Sequence, residues 1–379
     1  VGYSFGITTL GILYGWGGNT NGNLGISSIT NVSSPVLVSG PAGTSWSAIS
    51  GGNGHTLGLT TTGVLYAWGL NSVGQLGNLS TTAVSSPVLV SGPTGVSWSN
   101  IAAGYSHSLA ITTLGKLYSW GQNNTYQLGN LSATNVSSPV AVASTSSWIA
   151  ISAGTNHSLG ITSTGTLYGW GWGAWGVLGI NSITTQNYSS PVLVSGPTGT
   201  SWSILPSIKF NCSAAITTTG QLYAWGDNSA NQIAFSQSIS SPVQIGTSSW
   251  NFIATGATHV LAINTLGVLY AWGFNQYGAL GNLTSGNLNY FVSSPVLVSG
   301  PAGTSWSMVS AGSSHSLGLT TTGALYAWGL NSSGQLGINS QTTVSSPVLV
   351  SAPAGTSWTM IASGAGGIFS VGLTTTNVL

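Results

Sequence analysis

Five histidines are the residues of this chain most able to do chemistry. A histidine beside a serine can activate it as a nucleophile, and several histidines together can bind a metal ion. Both arrangements depend on convergence, because metal ligands lie about 2.0–2.2 Å from one ion and a catalytic histidine is oriented by an acid. Only one Asp or Glu side chain is available to orient five histidines. No complete catalytic set is present.

The histidines recur at one position of a repeat instead of forming a cluster. They are His55, His107, His157, His259 and His315. Other copies of the repeat have Tyr3, Cys212 or Phe369 at this position. A position that accepts His, Tyr, Phe or Cys indicates packing and not metal binding. We therefore predict no metal ion and no cofactor.

The remaining residues argue against hydrolytic activity and against nucleotide binding. Glycoside hydrolysis usually uses two carboxylates, whereas Asp227 is the only one in this chain. Serines that follow histidines recur with the repeat, as Ser108 and Ser158 do, which indicates a scaffold role. The many glycines lie in repeat turns and form no Walker-type phosphate loop. The sequence predicts that the protein is not an enzyme.

The first candidate contact residues are two tryptophans that depart from the repeat. Trp172 and Trp175 lie in a loop of the fourth repeat, where the second repeat has Leu70 and Val73. A loop tryptophan is a good flat anchor for a sugar ring or a partner protein. The alternative is that the two rings fill a larger gap between blades.

Two further departures supply the other candidate contact residues. In the sixth repeat, residues 282–291 form a longer segment that ends in Tyr290 and Phe291. The fifth repeat is the most divergent and contains both Lys209 and Asp227. These two residues either pair with each other or mark the side that meets a neighbouring subunit.

The repeat itself predicts the fold. The phrase Leu-Tyr-X-Trp-Gly occurs seven times, at intervals of 47 to 56 residues. Its copies begin at Leu13, Leu65, Leu117, Leu167, Leu222, Leu269 and Leu325. A period near 50 that fills the chain indicates an array of small β units. Each unit contains four short strand patterns, the last led by a second tryptophan. The prediction is an all-β, seven-bladed propeller with four antiparallel strands in each blade.

The two ends of the chain bear on how the ring closes. The first-strand pattern occurs eight times, once more than the other markers, and its terminal copies are Tyr3–Thr8 and Phe369–Thr374. Either a terminal strand closes the ring while the other copy lies outside it, or the chain is a window on a longer array. We expect closure by pairing of the N- and C-terminal strands. We also expect a single domain over residues 1–379, which could be part of a longer protein.

Composition narrows the choice of partners. Only Lys116, Lys209 and Asp227 carry formal charge. Two lysines and no arginine can neutralise few phosphates, which argues against binding to nucleic acid. A net charge of +1 favours association between copies. So little charge also predicts a stability nearly independent of salt and pH. No run of 18 apolar residues is present, so no membrane insertion is predicted.

The repeat resembles that of the regulator of chromosome condensation (RCC1) family. Residues 103–121, from Ala103-Gly-Tyr-Ser-His to Tyr-Ser-Trp-Gly121, and residues 68–77, Trp68-Gly-Leu-Asn-Ser-Val-Gly-Gln-Leu-Gly77, show the resemblance. It covers the whole chain and implies a seven-bladed propeller closed by its two ends. The founding member's activity, nucleotide exchange on a small nuclear GTPase together with chromatin binding, transfers poorly. The basic residues for chromatin are missing, and no charged exchange wedge is matched.

These observations lead to a prediction of function. We predict a non-enzymatic, extracellular propeller that is a structural or adhesive component of a surface appendage, either a phage fibre, a virion decoration or a cell-surface filament. Its predicted partners are copies of itself, other appendage or virion proteins, or a cell-surface glycan or receptor. One alternative is a lectin-like propeller that binds carbohydrate through its loop tryptophans. A second alternative is an intracellular interaction module of the exchange-factor type.

Overall fold

The predicted architecture is confirmed, because seven four-stranded antiparallel sheets form the blades of a propeller. The computed structural model describes residues 2–206, 211–229, 237–282, 291–352 and 355–363. In each blade the innermost strand begins with a tryptophan, and the outermost strand contains a Ser-Pro pair. Most innermost strands contact those of the neighbouring blades, so they surround the central axis.

The strands are numbered in chain order. Blade 1 contains β1 (Tyr3–Thr8), β2 (Leu13–Gly17) and β3 (Val32–Leu37). Blade 2 contains β4 (Trp46–Gly51), β5 (His55–Thr60), β6 (Leu65–Gly69) and β7 (Val84–Leu89). Blade 3 contains β8 (Trp98–Ala103), β9 (His107–Thr112), β10 (Leu117–Gly121) and β11 (Val136–Ala141). Blade 4 contains β12 (Trp148–Ala153), β13 (His157–Thr162), β14 (Leu167–Trp172) and β15 (Asn187–Leu193).

The remaining blades follow the same order. Blade 5 contains β16 (Trp202–Ile204), β17 (Cys212–Thr217), β18 (Leu222–Gly226) and β19 (Ile239–Gln244). Blade 6 contains β20 (Trp250–Thr255), β21 (His259–Asn264), β22 (Leu269–Phe274) and β23 (Phe291–Leu297). Blade 7 contains β24 (Trp306–Ala311), β25 (His315–Thr320), β26 (Leu325–Gly329) and β27 (Val344–Leu349), and β28 (Trp358–Ser363) completes blade 1. Two short 3-10 turns, Ala174–Gly176 and Gln276–Gly278, follow β14 and β22.

The strand that begins with the second tryptophan comes last in each sequence repeat, but in the structure it belongs to the next blade. The Trp98 strand is not the outermost strand of blade 2 but the innermost strand of blade 3, where it pairs with β9. Connection length explains the difference. Three residues join β8 to β9, whereas residues 90–97 separate β7 from β8. Antiparallel neighbours are usually joined by hairpin loops of about two to five residues, so the shorter connection defines the pair.

The ring closes between the two ends of the chain, as predicted. Strand β28 pairs with β1, and Ser363 lies opposite Ser4 in the register. The N-terminal strand thus occupies the place next to an innermost strand contributed by the C-terminal part. The second copy of the pattern, Phe369–Thr374, lies outside the described residues.

The ring has two faces, which we name by their connections. The loop face contains the loops that follow the Leu-Tyr-X-Trp-Gly strands, such as residues 70–83 of blade 2. The turn face contains the tight turns that precede those strands, such as the turn closed by Gly63, whose φ of +78° favours glycine. A residue just before such a strand and a residue just after it therefore lie on opposite faces.

Candidate protein-interaction surface

The histidines lie in the seams between blades. All five are buried, and each Nε2 atom is 2.9–3.1 Å from the hydroxyl oxygen of a serine in the next blade. The pairs are His55–Ser108, His107–Ser158, His157–Ser213, His259–Ser316 and His315–Ser4. Each pair connects two blades and adds to the other hydrogen bonds across the same seam, such as that from Trp120 Nε1 to the carbonyl oxygen of Gln75.

The hydrogen-bond partners fix the state of these rings. Ser108 donates its hydroxyl hydrogen to the carbonyl oxygen of Gln75 at 2.8 Å. A hydroxyl has a single hydrogen, so Nε2 of His55 must be the donor to Ser108, and Nδ1 is unprotonated. Burial lowers the pKa of His55, His107 and His157 to about 3. These side chains are neutral at physiological pH, and their Nε2 atoms donate to a serine hydroxyl of the next blade.

Two seams use other residues at the same positions. In the seam between blades 1 and 2, the phenol of Tyr3 donates to the carbonyl oxygen of Gly52 at 2.8 Å. In the seam between blades 5 and 6, buried Cys212 and Val260 replace the histidine and the serine. Burial raises the pKa of the Cys212 thiol to about 12, so it stays protonated. Within the described residues, no three His, Cys, Asp or Glu side chains are placed to hold a metal ion.

Trp172 and Trp175 lie together on the loop face of blade 4. Trp172 extends β14 by one residue and pairs with Asn187 of β15, while Trp175 lies in the 3-10 turn that follows. The two indoles meet edge to face, with ring centroids 4.9 Å apart and an interplanar angle of 78°. Trp172 is half-buried, whereas 49% of Trp175 is exposed. The pair therefore presents an indole to solvent.

The backbone beneath Trp175 is unusual. Its φ of 55° and ψ of 17° lie in the left-handed region, which bulky side chains rarely adopt. Tyr277 in blade 6 has a φ of 66° and a ψ of 10°, and each aromatic residue is followed by a glycine of positive φ, Gly176 or Gly278. Such a conformation costs on the order of 1–3 kcal/mol. The same strained turn thus presents an aromatic ring in blade 4 and in blade 6.

The aromatic residues of blade 6 form a second, separate group. Phe274 extends β22 and stacks on Phe291, with ring centroids 4.7 Å apart and planes inclined by 24°. Phe291 and Tyr277 are both exposed, by 44% and 38%. Tyr290 lies outside the described residues. Phe291 stays a predicted contact residue, and the structure stacks it on Phe274.

Asp227 lies in the neighbouring blade 5, directly after β18. Trp172 and Phe274 hold the equivalent position in blades 4 and 6, because each directly follows the glycine of its Leu-Tyr-X-Trp-Gly phrase. The Asp227 carboxylate accepts hydrogen bonds from the backbone N–H of Ser229 at 3.0 Å and from its hydroxyl at 3.2 Å. Lys209 lies outside the described residues, so its pairing with Asp227 stays a hypothesis.

Phe274 and Tyr277 were missing from the sequence-based candidates. The available signal was the alignment of one repeat with another, in which Tyr277 and Trp175 occupy the position of Val73. An aromatic residue at this loop position is noticed only when the loops of all repeats are aligned residue by residue. Its left-handed backbone has no signal in the sequence, because Val73 is also followed by a glycine and has no positive φ.

The comparisons with known proteins identify the family. The model of the RCC1-like domain matches residues 2–246, and the model of the regulator of chromosome condensation (RCC1) repeat matches residues 267–319 and 322–371. The chain belongs to the RCC1-like domain family. Its resemblance to the RCC1 repeat is thereby confirmed over most of its length.

The similar proteins include members with different roles. The ultraviolet-B receptor UVR8 of Arabidopsis thaliana is 29% identical over 349 residues, which cover 90% of this RCC1-like chain and 78% of UVR8. The human E3 ubiquitin-protein ligase HERC2 is 28% identical over 332 residues, which cover 84% of this chain but only 7% of the ligase. Yeast RCC1 (Prp20), solved bound to Kap60, shares the fold with a TM-score of 0.80 at 21% identity, over 92% of this chain and 86% of that one.

These relatives correct the predicted function. A ubiquitin ligase and a Prp20p described by its binding to Gsp1p and histones act inside cells, and none of these proteins is an appendage component. The predictions of an extracellular location, a structural or adhesive role, and appendage, virion or cell-surface partners are therefore wrong. Low charge and a rigid repeat are properties of the scaffold, and they do not determine where a propeller works. The second alternative, an intracellular interaction module, fits the relatives better.

The chain shows no spanning helix in the part that the structure describes. None of its helical segments has the length and apolar character needed to cross a bilayer.

Proposed function

We propose that this RCC1-like chain is a non-catalytic interaction module of the intracellular regulator type, which binds a protein partner on its loop face. The observation that carries the proposal is the indole of Trp175, half exposed on a loop tip beside Trp172. Tryptophan is enriched among the residues that dominate protein–protein binding energy, because it buries a large area with few rotatable bonds.

The backbone supports the same conclusion. A left-handed conformation at a bulky residue persists only where the surrounding structure compensates for its cost, and such residues cluster at functional sites. The equivalent loop of blade 2 has Leu70 and Val73 and is built without a positive φ at Val73. Tryptophan at these positions of blade 4 is therefore not required by the repeat, which supports a role in binding.

The seams support a function without catalysis. The five histidines, the residues best suited to acid–base chemistry, are buried in inter-blade hydrogen bonds. Asp227 is the single carboxylate side chain of the chain. We propose that residues 1–379 act as one domain whose partners supply any chemistry, as the small share of HERC2 that this chain matches suggests for a module within a ligase.

Affinity capture with matched variants tests the proposal. The wild-type chain and a Trp172→Ala/Trp175→Gly variant are used to capture proteins from extracts of the source organism, and each captured protein is then purified and its affinity measured. Gsp1p and histones, the proteins named for Prp20p, are the first purified candidates. We expect the double variant to bind its partner at least about tenfold more weakly, as loss of a tryptophan hot spot does.

The control is Val73→Gly, which changes the equivalent position of blade 2 without removing an aromatic ring. It should bind like the wild type. If the blade 4 double variant keeps every partner at wild-type affinity, the loop tryptophans are not the binding surface and the proposal fails.

A further inference from the structure

We propose that Trp175 and Asp227 form a subsite for a cationic side chain, lysine or arginine, of the protein partner. This inference rests on the proposed function and adds the chemistry of the group that the loop face recognises. The subsite lies at the seam of blades 4 and 5, where the exposed tryptophan and the single carboxylate of the chain come from neighbouring blades.

Hydrogen bonds bring together the two chain segments that contain these residues. The loop of blade 4 lies on blade 5, because the carbonyl oxygen of Val177 accepts hydrogen bonds from Ser213 Oγ at 2.7 Å and from Trp225 Nε1 at 3.0 Å. Trp175 precedes Val177 by two residues, and Asp227 follows Trp225 by two residues. The 3-10 turn that contains Trp175 also contacts β18, the strand that ends just before Asp227.

The two groups suit a cation. The face of an indole attracts ammonium and guanidinium groups, and arginine or lysine forms charge-assisted hydrogen bonds with a carboxylate. The carboxylate of Asp227 accepts two hydrogen bonds from Ser229 and is half-buried. A carboxylate has about four acceptor positions, so it retains capacity for a ligand. Ser229 also holds the carboxylate in place.

Charge is arranged to favour a cation on this face. Lys116 directly precedes β10, whereas Asp227 directly follows β18, so the two charges lie on opposite faces of the ring. Along the described ranges, the loop face around Asp227 presents no Lys or Arg side chain. The five histidines are buried in their seams. Among the described residues, a positively charged partner group therefore meets the Asp227 carboxylate without a competing Lys or Arg side chain.

Blade 6 provides an internal comparison. Its aromatic turn with Tyr277 has the same left-handed backbone and contacts β26 and β27 of blade 7. The residue of blade 7 equivalent to Asp227 is Leu330. An aromatic ring on the same scaffold thus lies at a seam without a carboxylate, and we expect it to discriminate little between charged and neutral groups.

Nuclear magnetic resonance with small probes tests the subsite directly. The wild-type chain is titrated with N-acetyl-lysine methylamide and with its Nε-acetylated, neutral counterpart, and the indole resonance of Trp175 is followed. We expect saturable shifts with the charged probe only, with a dissociation constant on the order of 100 mM for such a small, exposed contact. The response should weaken about threefold or more at 0.5 M NaCl, because the attraction is screened.

Variants separate charge from structure. Asp227→Asn keeps an oxygen that can accept from the Ser229 N–H but removes the charge, and we expect affinity for the charged probe to fall about five- to tenfold. Leu330→Asp adds a carboxylate beside Tyr277 and should create a second response there. Equal shifts from both probes, no binding by either probe, or an unchanged affinity in Asp227→Asn would each overturn the subsite.

Failure of the subsite and failure of the proposed function are distinguishable. If Trp172→Ala/Trp175→Gly loses the partner while Asp227→Asn retains it at full affinity, the interaction surface stands and the cation subsite is wrong. If the charged probe binds as expected while partner capture ignores the tryptophans, the subsite stands as a cation site and the proposed function is wrong.

Discussion

At the scale of single residues, the same side chain has two roles that depend on its place in the blade. Trp170 is fully buried in a seam, and its Nε1 donates to the carbonyl oxygen of Gln127 at 3.0 Å. Trp175 lies five residues later in a strained turn and is half exposed. A buried tryptophan contributes packing and a hydrogen bond to the fold, whereas an exposed one on a left-handed backbone contributes little to it.

This contrast predicts different stability effects. Trp170→Ala should lower the free energy of unfolding by about 3–5 kcal/mol, because it leaves a large cavity. Trp175→Ala should change it by less than about 1 kcal/mol, as surface substitutions usually do. Urea unfolding followed by circular dichroism measures both. A loss at Trp175 comparable to that at Trp170 would show that the exposed indole is structural.

At the scale of elements, five of the seven seams contain a His–Ser hydrogen bond between two blades. Ser108 of β9 accepts from His55 of β5 and donates to Gln75, whose carbonyl also accepts from Trp120. Ser108→Ala leaves a buried N–H without its acceptor, so we expect a loss of about 1–3 kcal/mol in the free energy of unfolding. The seam between blades 5 and 6 shows that a different pair, Cys212 and Val260, is also compatible with the fold.

A double-mutant cycle tests this fastening. His55→Cys/Ser108→Val copies the blade 5–6 pair into the blade 2–3 seam. Replacing both partners leaves no buried polar group without its partner. The double variant should therefore lose less free energy of unfolding than the sum of the losses in His55→Cys and Ser108→Val, by about 1 kcal/mol or more. Additive losses in urea unfolding would show that the two residues act independently.

The connections between strands allow a matched comparison of two glycines. Both Gly63 and Gly95 have positive φ, at 78° and 73°. A Cβ atom at Gly63 would lie 2.9 Å from the Cβ of Ser97, whereas a Cβ at Gly95 would have no atom within 4 Å. Gly95→Ala should therefore cost only the conformational term of about 1–2 kcal/mol. Gly63→Ala should cost clearly more, and equal losses in thermal unfolding would contradict this account.

These elements also show what the sequence could and could not predict. The strands, their number and the packing role of the histidine position follow from a period that repeats seven times, and one interchangeable position is enough to argue against a metal site. The partner of His55 lies 53 residues away in the next repeat, and no local pattern marks such a contact. The grouping of β8 with β9 depended on comparing connection lengths. The nearness of Trp175 to Asp227 depends on how one blade's loop lies on the next blade.

At the scale of the whole molecule, the seams couple the stability of the ring to pH. Sequence composition predicts a stability nearly independent of pH, but the buried histidines change this expectation. The pKa of His55, His107 and His157 is about 3 in the folded chain, against about 6.5 for an unperturbed histidine. The unfolded chain therefore binds more protons between these values. Stability is fully present above pH about 6.5 and is lost as the pH falls toward 3.

We expect acid unfolding to report on the seams almost alone, because the chain has a single carboxylate side chain. Each of His55, His107 and His157 lowers the free energy of unfolding by about 1.4 kcal/mol for each pH unit below about 6.5. With a typical total stability of about 5–15 kcal/mol, the ring should unfold near pH 3 to 5. At pH 7, the urea midpoint should be nearly the same in 0.05 and 0.5 M NaCl, because only three side chains are formally charged.

His107→Tyr provides the decisive variant, since Tyr3 shows that the position accepts tyrosine. It removes one titrating group, so the slope of unfolding free energy against pH between 6 and 4 should fall by roughly one histidine's share, about 1.4 kcal/mol per pH unit. The comparison uses the slope and not the absolute stability, because the substitution also changes packing at Ser158. An unchanged slope would show that protonation of the seams does not drive acid unfolding. A reduced slope would show that protonation of the buried seam histidines, and not surface charge, sets the pH range in which the ring is intact.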